Sequence, residues 1–167
     1  MTEHVLAGTR GAITAHEWPN PTARYLALVV HGYGEHAGRY EELAGVLTAH
    51  GAAVFAPDHM GHGRSDGERV RIEDFEDVVS DVRAVAELAR AAHPEPPLVV
   101  IGHSMGGLIA ARYTQRYGDG LRACVISPGG CWRTRRSPTS PSAPPRSPVT
   151  RRSGRRTRRT PWSGTGR

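Results

Sequence analysis

The residues with the plainest chemical meaning stand in a row, Gly102-His103-Ser104-Met105-Gly106-Gly107. A serine with a glycine two positions to either side fits a tight strand-to-helix turn that lifts the hydroxyl clear of the backbone, where it can attack an acyl carbon. The glycines are needed because a Cβ there would collide with the neighbouring strand and helix. Attack on a carbonyl also requires two backbone N–H groups aimed at the oxyanion that develops. One belongs to the residue after the serine, Met105, and the other to a loop that ends an earlier strand; His31-Gly32-Tyr33-Gly34 supplies Tyr33. The expected catalytic set is Ser104 as nucleophile, with the Tyr33 and Met105 amides as oxyanion donors. A bare match to G-x-S-x-G is weak, so the elements around it must decide.

Those elements alternate short apolar runs with longer amphipathic stretches, the pattern of an α/β domain with a mostly parallel, doubly wound sheet. Residues 3–8 and 11–17 read as an opening antiparallel pair, and 24–30 as a buried strand ending at His31-Gly32. A helix is expected over 39–50 with Tyr40, Leu43 and Leu47 facing inward, then a strand over 52–56. The clearest helix is 72–92, where Phe75, Val78, Val79, Val82, Val85, Leu88 and Ala89 recur at helical spacing. Residues 98–102 are almost continuously apolar, which predicts a central strand covered on both faces. Ser104 follows at once, then a helix over 105–117 and a last short strand over 122–127. The serine motif thus sits where its chemistry needs it, between a central strand and a helix.

Composition divides the chain in two. All 16 acidic residues lie before Cys131, whereas the 22 arginines split evenly around it, so residues 1–130 carry −5 and 131–167 carry +11. The overall charge of +6 therefore describes neither part and implies no basic binding face on the first. From Cys131 onward Arg, Ser, Pro and Thr make up 29 of 37 residues, with Val149 the one branched aliphatic. Such a segment cannot bury enough apolar surface to offset the entropy of ordering, and disorder is expected. An Arg, Pro, Ser, Thr and Trp mixture in a lysine-free chain is also what a GC-rich gene yields out of frame. Two cysteines, Cys124 and Cys131, make no disulfide framework or cysteine metal site. No apolar run reaches the roughly 20 residues of a membrane helix, and no secretory signal is read at the start, so a cytoplasmic chain with at most peripheral membrane contact is expected.

Three blocks together, His31-Gly-Tyr-Gly-Glu-His-Ala-Gly-Arg-Tyr40, Pro57-Asp-His-Met-Gly-His-Gly-Arg-Ser65 and Gly102-His-Ser-Met-Gly-Gly107, resemble the monoacylglycerol lipases and the related lysophospholipases and serine-aminopeptidase-like hydrolases of the α/β-hydrolase superfamily. The resemblance covers about residues 3–128. It implies the N-terminal part of an α/β-hydrolase domain over 1–130, about six strands, followed by the tail 131–167. The implied activity is that of a serine esterase acting on a small acyl ester such as a monoacylglycerol, with no cofactor. Glu35 and Arg39 belong to the block beside the oxyanion loop, and their spacing suits an ion pair that holds the loop or binds a polar head group of the substrate. Asp58, His59 and His62 are the nearest thing to a metal cluster, but the resemblance places them in the turn after a strand, and no metal is expected. His103 belongs to the turn and is read as a packing position.

In this fold the triad runs serine, acid, histidine along the chain. After Ser104 there is one acidic residue, Asp119, in a Gly-Asp-Gly helix end, and no histidine. The triad acid and base are thus absent, and an inactive chain is expected because a serine without a base is a poor nucleophile. Other readings are a different acyl substrate (a lysophospholipid, a simple ester, a peptide amide) and a non-catalytic remnant. The arginine tail as a nucleic-acid arm is disfavoured, since only Trp132 and Trp162 interleave it and no recognition fold accompanies it.

Overall fold

The computed structural model describes residues 1–129. The sequence readings on the tail, from its disorder to its out-of-frame origin, lie outside them. Six strands, β1 (Thr2–Ala7), β2 (Ala12–Trp18), β3 (Tyr25–Val30), β4 (Ala52–Pro57), β5 (Leu98–His103) and β6 (Leu121–Ser127), form one sheet in the order β1-β2-β4-β3-β5-β6. The β1–β2 and β2–β4 pairs are antiparallel, and β4, β3, β5 and β6 run parallel. Three helices connect them, α1 (Glu41–Ala49), α2 (Phe75–Ala92) and α3 (Met105–Tyr117).

The helices cover both faces of the sheet. On one, Leu26, Leu28, Val30, Phe55, Leu98 and Val100 pack against Val78, Val82, Val85, Ile109 and Tyr113 of α2 and α3. On the other, Ala27, Val29, Val54 and Trp18 pack against Tyr40 and Ala44, with Leu43 and Leu47 partly buried beside them. The doubly wound pattern expected from sequence is the one observed. Burial on β5 is unequal, however. Leu98, Val100 and Gly102 are buried, whereas Val99 and Ile101 are only half covered.

Two helix starts differ from the sequence expectation. Residues 37–40 form a 3-10 turn, and α1 begins at Glu41. Helix α2 begins at Phe75 because Asp74 caps it, its side chain accepting the Glu76 N–H at 2.8 Å, which leaves residues 72–74 in the preceding loop. At the far edge, β6 pairs with β5 alone among the described residues, and Val125 and Ile126 are about half exposed. No described helix is long and apolar enough to cross a membrane.

Candidate active site

Strand β5 ends at His103 and α3 begins at Met105, so Ser104 makes the whole turn between them. Its backbone has φ 52° and ψ −117°, a region that residues with a Cβ rarely enter. The turn is locked on both sides. The Ser104 N–H donates to Ser127 O at the end of β6 (2.9 Å), and the Gly107 N–H donates to Ser104 O (2.9 Å). The flanking glycines have no room for a side chain. A Cβ on Gly102 would stand 2.2 Å from Gly106 O, and one on Gly106 would stand 2.0 Å from Val30 O and 2.5 Å from His31 O. Helix α3 can therefore start only by packing its backbone against the end of β3. The Ser104 side chain is exposed, and its Oγ has no hydrogen bond to a described residue. His103 Nδ1 lies 3.4 Å from Ser127 Oγ on β6.

The close approach of α3 to β3 brings the loop after β3 beside the Ser104 turn; a Cβ on Gly32 would lie 3.4 Å from His103 O. Three amides run in succession along that loop, and two are occupied. Gly32 N–H donates to Glu35 Oε2 (3.0 Å) and Gly34 N–H to His62 Nε2 (3.2 Å). The Tyr33 N–H between them donates to no described residue, and its ring is exposed.

The loop rests on three packed histidines. His31 and His59 pack with their rings tilted and centroids 4.0 Å apart, and His62 lies 5.3 Å from His31. The His31 Nδ1–H donates to Gly32 O (2.8 Å) and its Nε2 accepts the His59 N–H (3.0 Å). The His59 Nε2–H donates to His31 O (3.2 Å), leaving a buried Nδ1 without a partner. Burial, reinforced by the neighbouring His62, pushes the His31 pKa down to about 4, and burial likewise holds His59 well below its ordinary value. Both are neutral supports of the loop.

Glu35 and Arg39 do pair, at 3.0 Å. Glu35 has more to hold than Arg39, for its Oε2 also accepts the Tyr40 hydroxyl (2.7 Å). Burial alone would raise the Glu35 pKa; the Tyr40 hydroxyl, the Gly32 amide and Arg39 outweigh it and hold the carboxyl below its usual range. The Arg39 side chain is 60% exposed. Asp58 is spent on structure in the same way. Its Oδ1 accepts the Ala37 N–H (2.7 Å), and its Oδ2 accepts the Arg64 N–H (2.9 Å) and faces His16 Nε2 (3.1 Å). Asp119 lies in the turn from α3 to β6, and the sequence reading missed the amide-accepting role of His62, for which its position between Gly61 and Gly63 was the one available signal.

A cavity of about 300 Å³ opens elsewhere, between the β1–β2 turn and the start of α2, and none of its lining belongs to the Ser104 turn or the Tyr33 loop. Its two arginines are already paired, Arg10 with Glu73 and Asp77, Arg71 with Glu68 and Glu73, and the Asp74 carboxylate caps α2.

The sheet order, the glycine-framed turn on β5 and the loop beside it define an α/β-hydrolase fold. The chain belongs to the serine aminopeptidase, S33, family of hydrolases, whose profile matches residues 21–157. It is 42% identical over 128 residues to a monoacylglycerol lipase of Mycolicibacterium smegmatis, covering 75% of this chain and 46% of that one. Human monoglyceride lipase is 44% identical over 111 residues, covering 66% and 37%. Among solved structures, a monoacylglycerol lipase of Paleococcus ferrophilus superposes with a TM-score of 0.59 at 33% identity, covering 69% of this chain and 42% of that one. A carboxyl esterase of Bacillus coagulans superposes at 0.70 with 26% identity, covering 75% and 43%. The chain spans less than half the length of these relatives.

Proposed function

We propose that this chain carries the nucleophile of a carboxylic ester hydrolase, with Ser104 attacking the acyl carbon of a small ester such as a monoacylglycerol. The observation that carries the reading is the Ser104 backbone, at φ 52° in a turn whose neighbours leave it no alternative. Strain of this kind persists only where the surroundings impose it, and it clusters at catalytic sites. The Tyr33 and Met105 amides hold the oxyanion; the occupied state of the Gly32 and Gly34 amides supports the choice of Tyr33. The glycerol monoester is suggested by the relatives named as monoacylglycerol and monoglyceride lipases. Arg39, exposed, has the freedom to meet a polar head group, while Glu35 holds the loop.

In the reaction Ser104 Oγ bonds to the acyl carbon, the carbonyl electron pair moves onto oxygen, and the alcohol leaves as that pair returns. A base must take the Oγ proton and pass it to the departing alkoxide. None of the nine histidines follows Ser104 in the 167 residues. By themselves these residues hold a positioned but unactivated serine and do not turn esters over.

The test is phosphonylation by a fluorophosphonate probe and hydrolysis of a short p-nitrophenyl ester, each with and without added imidazole as external base, beside Ser104→Ala. Labelling that appears with imidazole and vanishes in Ser104→Ala is expected. Labelling that survives Ser104→Ala removes the nucleophile, and turnover without imidazole removes the claim of inactivity.

A further inference from the structure

Two side chains take hold of the loop after β3, one on each side of Tyr33. Glu35 accepts the Gly32 amide and His62 accepts the Gly34 amide. The geometry points to His62 as the positioning residue that fixes the Tyr33 amide beside the Ser104 turn. This rests on the oxyanion role proposed for Tyr33.

The protonation state of His62 follows from its partners. Its Nδ1 lies 3.0 Å from Met60 O, and a carbonyl only accepts, so the proton is on Nδ1 and the Nε2 lone pair is the one turned to Gly34. The ring is 2% exposed, stands 5.3 Å from His31, and meets the Tyr33 ring edge-on at 5.9 Å. It cannot drift along the chain, because it is bracketed by Gly61 (φ 74°) and Gly63 (φ 52°), where left-handed backbone and tight surroundings both require glycine. A Cβ on Gly61 would lie 2.4 Å from Glu68 O, and one on Gly63 would lie 2.1 Å from the Asp58 carboxylate. The Asp58 carboxylate is in turn anchored by the Ala37 and Arg64 amides. The loop after β4, held in place by these contacts, therefore presents an aromatic acceptor to the loop after β3.

The purpose follows from what the loop lacks. Gly34 has φ 70° and nothing within 4 Å of where its Cβ would be, so the side-chain contacts that fix most loops are missing there. Without the Nε2 acceptor the Gly34 N–H turns to water, and the Tyr33 peptide is fixed on its Gly32 side alone. Oxyanion donors act only when held in place beforehand.

The experiment uses the full chain, 15N-labelled. A through-hydrogen-bond coupling between the Gly34 amide nitrogen and His62 Nε2 is expected in the unmutated protein. Amide exchange at Gly34 should quicken roughly three- to tenfold in His62→Phe, the worth of one lost hydrogen bond, and by less than about twofold in His62→Gln, whose amide oxygen still accepts. Imidazole-assisted fluorophosphonate labelling of Ser104 should slow in His62→Phe and recover in His62→Gln. Absence of the coupling, unchanged Gly34 exchange in a folded His62→Phe chain, or measurable labelling at the same rate in all three proteins would overturn the proposal. If His62→Phe does not fold, the coupling and the His62→Gln exchange decide. Expected coupling and exchange with no labelling of any variant would remove the Ser104 reading and leave the His62 clamp standing.

Discussion

Glu35 Oε2 lies 3.0 Å from the Gly32 amide and 2.7 Å from the Tyr40 hydroxyl, so one carboxylate oxygen ties the loop after β3 to the turn that opens α1. Arg39 adds an ion pair on the outer oxygen, at 3.0 Å and largely in water. The two halves of this arrangement differ in worth: a partly buried carboxylate that accepts two donors is costly to remove, whereas an exposed ion pair contributes little.

Glu35→Ala should therefore lower unfolding free energy by about 1–3 kcal/mol, for the two stranded donors, and Arg39→Ala by less than about 0.5 kcal/mol. Urea denaturation of both variants at neutral pH measures this. A cost for Arg39→Ala equal to that for Glu35→Ala would mean that the ion pair, not the loop, is what the carboxylate serves.

Glycine does opposite things at two helix positions. Gly106 lies where α3 touches β3, and an added Cβ would stand 2.0 Å from Val30 O, a backbone atom that cannot swing away. Gly45 is exposed on α1 with nothing within 4 Å of its Cβ position. Gly106→Ala is expected to cost more than about 3 kcal/mol, and Gly45→Ala to add about 0.5–1 kcal/mol. Thermal melts of the pair provide the comparison; a harmless Gly106→Ala would show that α3 does not start against β3.

Ser104 and Val70 are the described non-glycine residues with positive φ, at 52° and 55°. Each side chain there strains the backbone by an amount that glycine does not incur. Ser104→Gly and Val70→Gly should each raise stability by about 1 kcal/mol, read as an upward shift of the urea midpoint. A drop in the Ser104→Gly midpoint would count against a strained turn.

How much of this was legible beforehand depended on how local the cause was. The turn at Ser104, the strand before it and the helix after it were readable because glycine spacing and apolar runs act within a few residues. The amide-accepting role of His62 was not, because Gly34 and His62 meet only when the loops after β3 and β4 come together. Asp81 shows the same limit from the other side. Helical spacing puts it among Val78, Val79 and Val82 on the buried face of α2, yet a carboxylate reads as solvent-facing. It is buried because its Oδ1 accepts the Thr9 amide from the β1–β2 turn (2.8 Å), with Oδ2 left unpartnered, and burial raises its pKa. The start of α2 was misplaced for a smaller reason: the apolar spacing reaches back to Ile72, but the Asp74 cap sets the first turn.

The histidines beneath the Tyr33 loop make stability depend on pH in a window that Asp58 and Glu35 do not share. His31 titrates at about 4 when folded and at 6.5 when not, so between those values the unfolded chain holds a proton that the folded chain refuses. Stability is fully present above pH 6.5 and declines as pH falls toward 4, by up to about 3 kcal/mol from His31, with His59 acting in the same direction. Asp58 and Glu35 are also held below their ordinary values of 3.8 and 4.5, but what they contribute is lost only as pH falls below those values. A loss of stability between pH 6.5 and 4.5 therefore belongs to the histidines, because the raised Asp81 carboxyl takes up its proton more readily in the folded chain and acts in the opposite sense. Urea midpoints taken across pH 4.5–7.5 should fall on the acid side, and His31→Gln, which keeps a donor and an acceptor but does not titrate, should flatten the curve. Equal midpoints at pH 7 and pH 5 would mean that His31 accepts a proton in place, with water or a rearranged Gly32 carbonyl solvating it, and that the loop it supports is looser than its hydrogen bonds imply.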